Sequence, residues 1–341
     1  MKRFLPIFII AFALVSCEKE VDFPTVEKNP IDFGEVETRA AVNSVDDIKE
    51  SGFGVFGYVS GVVDPLLTNE KVYWKDNKDN KDNSEWHYDN TRYWIPDHTF
   101  HFFAYYPYDD ETDATEPISN VVVNGDGEVG YQLSFVTPEA ADFDLLSAYA
   151  SVDTGDAEFN AANPVQIQFG HEMVNVNLEI WRDAQKHQND NMRVTGVALT
   201  NIPWKGKLTK TVDGVSSWTP LAMNPLFLGT GVDQNEEIGA ARKDLTGSSG
   251  YPCKPFGDKG LLLIPEANAV TLLVSYELHR QKGAWESYTL PVTLPVDAWV
   301  AGKRVNYSLI LSNEVNMSFY YLGTTVQPWG APQVGGTIII K

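Results

Sequence analysis

Short runs of Val, Ile, Phe, Tyr and Trp, separated by Gly, Asn, Asp and Pro at strand-and-turn spacing, recur along this chain and constrain its fold more than any other feature. They fall at 54–59, 99–106, 120–123, 165–169, 173–180, 194–201, 260–264, 270–278, 287–294 and 305–311. Runs this short suit strands, whose side chains alternate with period two, and cannot supply the three or four turns of an amphipathic helix. Only 46–50 and 138–149 carry a weak helical spacing. The expected fold is all-β, and 341 residues favour two sandwiches over one. A Gly-, Asp-, Asn- and Ala-rich stretch from Thr154 ends at Asn163–Pro164, which predicts an N-terminal unit over 40–164 and a C-terminal unit over 165–341.

The first sixteen residues read differently. Lys2 and Arg3 precede an apolar stretch, 4–16, too short to cross a bilayer, which is the pattern of a cleaved signal peptide. Leu14-Val15-Ser16-Cys17 looks like a bacterial lipobox, so Cys17 is expected to become the lipidated first residue of the mature chain. Acyl chains contribute about 0.8 kcal/mol per buried methylene, so two or three hold a protein on a membrane without a spanning helix. Residues 17–39 then form an acidic, Pro-punctuated tether in which Ile31, Phe33 and Val36 are the apolar positions of a possible first strand. With Cys17 acylated, Cys253 has no disulfide partner, and a zinc or redox site built on paired cysteines is excluded. The formal charge of −20 becomes −22 without the signal, 24 bases against 46 acids. Such a surface repels nucleic acid.

Catalytic signatures are absent. His171-Glu172 is followed by Asn175 where a zinc protease needs a second histidine, Gly229-Thr230-Gly231 lacks the third glycine of a dinucleotide loop, and no Gly-x-Ser-x-Gly elbow occurs. His98 and His101 are three apart on a predicted strand and so face opposite sides. Asp126 and Glu128 sit among Asn-Gly and Asp-Gly steps that make hairpin turns. The thrice-repeated Lys-Asp-Asn of 75–83 places a lysine at every third position, which opposes cation binding and suits an exposed loop. No catalytic residue, metal ligand or cofactor is assigned, and the chain is not expected to be an enzyme. A glycosidase pair of carboxylates is the one arrangement whose separation a sequence cannot display.

Several segments, in order, resemble the fimbrillin family, the type V pilins and related surface lipoproteins of Gram-negative gut and oral anaerobes. Trp94-Ile95-Pro96 leading into Phe102-Phe103-Ala104-Tyr105-Tyr106-Pro107 is similar to the family's tryptophan-proline step before an aromatic strand, although isoleucine separates residues the family commonly places together. Asp144-Leu145-Leu146-Ser147-Ala148, Phe169-Gly170-His171, Trp299 with Gly302-Lys303-Arg304-Val305-Asn306-Tyr307, and Gln327-Pro328-Trp329 resemble its later blocks. The resemblance implies two tandem transthyretin-like β-sandwiches, a first strand released by an arginine-specific protease, and a groove filled by the C-terminal strand of the next subunit. Carried onto this sequence, cleavage falls between Arg39 and Ala40, and Thr337, Ile338, Ile339 and Ile340 are the candidate donor strand. The tail could equally close its own sandwich.

The implied partners are other pilin subunits, the outer membrane before processing, the protease, and a host or bacterial surface ligand. The implied location is the cell surface, lipid-anchored in the outer membrane and then in a pilus. A tip or anchor subunit, or a glycan-binding lipoprotein using Trp204, Trp218 and Trp285, are the alternatives.

Overall fold

The computed structural model describes residues 29–38, 45–76, 85–110, 118–123, 129–136, 144–184, 190–211, 215–224, 227–228, 240–241, 250–265, 270–280, 283–297, 299–312 and 318–328. In chain order the elements begin β1 (Phe33–Thr38), α1 (Val45–Ser51), β2 (Phe53–Val59), β3 (Leu67–Lys75), β4 (Glu85–His87), β5 (Thr99–Tyr106), β6 (Ile118–Val123), β7 (Val129–Val136), β8 (Leu146–Asp153) and β9 (Val165–His171). They continue β10 (Val174–Asp183), β11 (Asn191–Thr200), β12 (Ile202–Thr211), β13 (Ser216–Asn224), β14 (Phe227–Leu228), β15 (Ala240–Ala241), β16 (Leu261–Leu263), β17 (Val270–His279), β18 (Trp285–Leu294), β19 (Lys303–Ser312) and β20 (Ser318–Pro328). The all-β expectation holds. The 46–50 window is α1, but the 138–149 window is strand from Leu146 onward, because β8 is paired along its whole length with β5.

One sheet has seven strands in the order β1-β9-β8-β5-β2-β3-β4. It curls until its ends meet: Pro30 bridges Tyr93, and Ile31 N–H donates to Arg92 C=O at 2.8 Å. The curl encloses a layer of rings in which Phe53 meets Phe33, Trp86 and Phe169 edge-on at 5.1–6.4 Å, the preferred geometry for quadrupolar rings. β9 belongs here, so Val165, expected to open the second unit, pairs with the first strands instead.

The remaining strands form three sheets, ordered β15-β10-β19-β20 with β16 beside β10, β14-β11-β17-β18, and β13-β12-β7-β6. The first two face each other across a second core. In β17 the alternation is regular, with Val270, Leu272, Val274, Tyr276 and Leu278 all buried on one face. In β11 a bulge between Val194 and Gly196 shifts the phase, so Met192 and Val194 are followed inward by Val197 and Leu199. Gly302, at φ 72°, makes the turn into β19, and its N–H donates to Met173 C=O. A third cluster joins Phe56, Tyr58, Phe103, Tyr105 and Leu145 to Met173, Leu208, Leu262 and Ile264.

His101 stands on β5, while His98 precedes the strand. The His101 ring stacks on Tyr58 at 4.9 Å and on Tyr149, and hydrogen-bonds Ser60 and Tyr149. Burial lowers its pKa, so the fold favours the neutral ring. Its contribution is present above the unfolded value of about 6.5 and is lost as pH falls through the lower folded value. Stability of the wild type should therefore fall more steeply below about pH 6.5 than that of His101→Gln, as measured by urea unfolding at matched pH.

Candidate functional site

Cys17, Arg39, Ala40 and residues 337–340 lie outside the described residues, but the ten residues that lead up to Arg39 are in place and define a site. Apolar side chains at Ile31 and Phe33 draw this segment inward, and both are buried, at 0% and 4% exposure. The Phe33 ring meets Tyr88 at 5.5 Å, Phe102 at 5.8 Å and Phe53 at 6.4 Å. Hydrogen bonds to its main chain clasp the segment on both sides. Trp94 N–H donates to Asn29 C=O at 3.2 Å, the Tyr88 hydroxyl donates to Ile31 C=O at 2.7 Å, and Val165 N–H donates to Asp32 C=O at 2.8 Å.

From Phe33 the strand runs parallel to β9, with Val36 opposite Ile167 and Thr38 opposite Phe169. Gly34 is required by a close approach. A Cβ there would lie 2.5 Å from Pro164 Cγ and 2.7 Å from Gln166 Nε2. Burial pushes the Asp32 carboxyl above its ordinary range, Glu85 adds to that and His87 opposes it. Burial likewise raises the Tyr88 phenol, which keeps it a donor to Ile31.

This arrangement has one mechanical property. An N-terminal strand at the edge of a sheet can leave without unthreading the rest of the chain. What it would uncover is the ring layer of Phe53, Tyr88 and Phe102 and the β1-facing edge of β9, an apolar groove with open ladder groups.

A second constellation was not foreseen. The Asp144 and His171 blocks, 27 positions apart, meet: His171 Nδ1 lies 2.5 Å from Asp144 Oδ2, both side chains buried. Burial pushes the Asp144 carboxyl up, the hydrogen bond and charge of His171 pull it down, and Glu172 adds a smaller upward push. Next to them Lys210 Nζ donates to Glu172 Oε1 at 3.1 Å, Ser147 Oγ at 2.9 Å and Ser216 Oγ at 2.9 Å. Ser147 and Ser216 also donate to Glu172 Oε1. All three ammonium protons are engaged, so Lys210 is a saturated cation and a poor nucleophile. The cluster fastens β8 to the β12–β13 hairpin. No local signal marks Lys210, which sits in a strand with lysines at 205 and 207.

The three tryptophans considered as sugar platforms occupy two different sheets. Trp218 is half-buried and donates through Nε1 to Glu172 C=O at 2.7 Å, while Trp204 and Trp285 are exposed, Trp285 with Arg193 over its ring at 4.4 Å and tilted on His279. Residues 77–84 lie outside the described residues, but β3 and β4 pair as a hairpin on either side of them, with Lys75 opposite Glu85. No helix among the described residues is long and apolar enough to cross a membrane, and no His, Cys, Asp and Glu group there could hold a metal.

Comparison with solved structures finds the fold in one at a TM-score above 0.5 and weaker likenesses in others. A fimbrial protein from Bacteroides vulgatus superposes with a TM-score of 0.59 at 18% identity, covering 88% of this chain and 99% of that one. A putative cell adhesion protein from Bacteroides uniformis gives 0.43 at 16%, covering 90% and 100%, and a fimbrial assembly protein from Parabacteroides distasonis gives 0.42 at 9%, covering 87% and 99%. No curated protein matches the chain. The model of the fimbrillin-like family matches residues 38–329, from the end of β1 to the last residue of β20 and one beyond. The chain belongs to the fimbrillin-like family.

Proposed function

We propose that the protein is a structural subunit of a cell-surface pilus that supports adhesion, exported as a lipoprotein through Cys17 and matured by cleavage after Arg39. The observation that carries this reading is the docking of residues 29–38: a bonded edge strand with Ile31 and Phe33 in the core, ending one residue before an arginine. Cutting there severs the strand from the body and the body from its lipid. Two buried side chains at about 1.5–3 kcal/mol each, with ladder bonds of about 1 kcal/mol each, hold the strand yet let a competitor of equal quality replace it. The competitor is the tail of another subunit, in which Ile338 and Ile340 fall on one face. Its partners are other pilin subunits, the outer membrane before processing, and an arginine-specific protease. It takes no cofactor and catalyses nothing.

Two cores support a two-unit reading, one buried cluster drawing on residues up to Phe169 and another beginning at Val174, with β6 and β7 crossing over to pair beside β12 and β13.

Two outcomes test the proposal. Cys17→Ala should abolish incorporation of a labelled fatty acid and leave the precursor unanchored; label retained in the variant would refute the anchor. Deleting 335–341 should permit cleavage at Arg39 but stop chain growth in electron micrographs, and filaments of normal length from that deletion would refute the donor role of the tail.

A further inference from the structure

The sheet β13-β12-β7-β6 carries lysines at 205, 207 and 210 and no aspartate or glutamate in any of its strands, in a chain with 46 acids against 26 bases. Along β12 the buried Gly206, Leu208 and Lys210 alternate with the half-buried Lys205, Lys207 and Thr209, so Lys205 and Lys207 stand on the outer face. Neither has an acidic partner among the described residues. Beside them the pairing of β12 with β13 shifts register twice, leaving Trp204 and Leu221 outside the ladder. Trp204, Leu221 and Met223 are exposed. The result is an apolar patch with a cationic margin.

One end of the seven-stranded sheet has the complementary character. The β2–β3 connection, the residues before β5 and those after β8 are bonded together there. Ser60 N–H donates to Thr99 C=O at 2.8 Å, Thr154 N–H to His98 C=O at 2.9 Å, and the Thr154 hydroxyl to Ile95 C=O at 2.7 Å. Val63 is 99% exposed, and Val62 and Ile95 are exposed with it. Asp64, Asp97, Asp156 and Glu158 lie in the same three segments, all exposed and none paired with a cation among the described residues. Arg92, the base held at this end, donates its Nε–H to Leu66 C=O. Apolar side chains grouped inside a charged rim mark a contact surface.

We propose that the Trp204, Leu221 and Met223 patch of one subunit docks on the Val62, Val63 and Ile95 end of a second copy, with Lys205 and Lys207 facing its carboxylates. The second copy is the partner because one chain carries both halves, apolar against apolar and cations against anions. Its net charge of −20 does not forbid the contact, since screening over about 8 Å at physiological salt leaves the facing charges to decide. The two surfaces rest on different cores, Ile202 of β12 in one and Val59 of β2 in another. A contact between unlike surfaces is heterologous, so it repeats along a row instead of closing as a two-fold dimer. The proposal rests on the pilus reading and deepens it: beside strand exchange, this second contact sets how subunits are arranged. It is small, so uncleaved subunits meet through it only transiently.

The test captures those encounters in the intact, uncleaved protein, as an equal mixture of ¹⁴N and ¹⁵N chains treated with a carbodiimide that joins carboxylate to amine without a spacer. Mass spectrometry should find links between chains from Lys205 or Lys207 to Asp64, Asp97, Asp156 or Glu158. Val63→Asp, which removes none of the linked groups, should reduce them roughly tenfold, the value of one buried valine side chain. Salt at 1 M, where screening acts over about 3 Å, should also reduce them. A mixture of Lys205→Glu, Lys207→Glu chains with Asp156→Lys, Glu158→Lys chains should restore links between positions 205–207 and 156–158 that neither variant forms alone. Links from the two lysines confined within one chain, yields unchanged by Val63→Asp, or no restoration in the mixture would overturn the proposal. Because the chain is never cut, such a failure leaves the test of cleavage and strand exchange untouched.

Discussion

Replacing Phe33 with alanine is expected to destabilise the full-length precursor by about 3–5 kcal/mol, the range for a fully packed phenylalanine. The ring is almost fully buried and lies edge-on against Phe53, Tyr88 and Phe102, so its removal leaves a cavity lined by aromatic edges that the surrounding ladder cannot collapse. At 2–4 °C per kcal/mol, the melting temperature should fall by roughly 10 °C. Gly34→Ala acts on the same strand by another route. The added methyl would sit 2.5 Å from Pro164 Cγ, part of a rigid ring, so β1 must shift off β9. A loss below about 1 kcal/mol for Phe33→Ala, read from the urea midpoint, would mean that the segment before Arg39 is not part of the core.

Lys210→Met should cost a comparable amount, about 3–5 kcal/mol, because it leaves the Glu172 carboxylate buried without its cation. Glu172 is 3% and Lys210 6% exposed, so water cannot replace the lost partner without opening the joint between β8 and the β12–β13 hairpin. The double variant Lys210→Met, Glu172→Leu removes both charges and leaves the two serine hydroxyls to each other. It should be more stable than Lys210→Met alone, since a buried ion pair is strongly needed only while one of its charges remains. Thermal unfolding of the wild type, the single and the double variant checks this, and a double variant less stable than the single would contradict it.

The sequence displays some of this architecture and hides the rest for identifiable reasons. The runs at 99–106 and 270–278 are dense in β-branched and aromatic residues and appear as β5 and β17 almost residue for residue. β12 carries lysines at 205, 207 and 210, and β13 has Pro220 at its middle. Neither looks like a strand in isolation. Pro220 is tolerated because β13 is the edge of its sheet and needs only one ladder. Leu146 to Tyr149 looked helical because Ala and Leu favour helices locally, and pairing with β5 overrode that preference. Of the candidate site, Ile31 and Phe33 were visible as apolar positions in an acidic stretch, and both reach the core. The requirement for Gly34 was not visible, since it is set by Pro164, 130 positions away. The clasp of Ile31 by Arg92 and Tyr88 was equally out of reach, because it depends on the curl that brings the ends of one sheet together.

In the proposed maturation, β1 plugs a groove until the chain is cut after Arg39. Wild type and Arg39→Ala should be treated with the same arginine-specific protease and examined by electron microscopy alongside the intact masses of the products. The wild type should lose everything through Arg39 and form filaments, while Arg39→Ala should keep its first strand and remain monomeric. Filaments from Arg39→Ala as abundant as those from the wild type would contradict it.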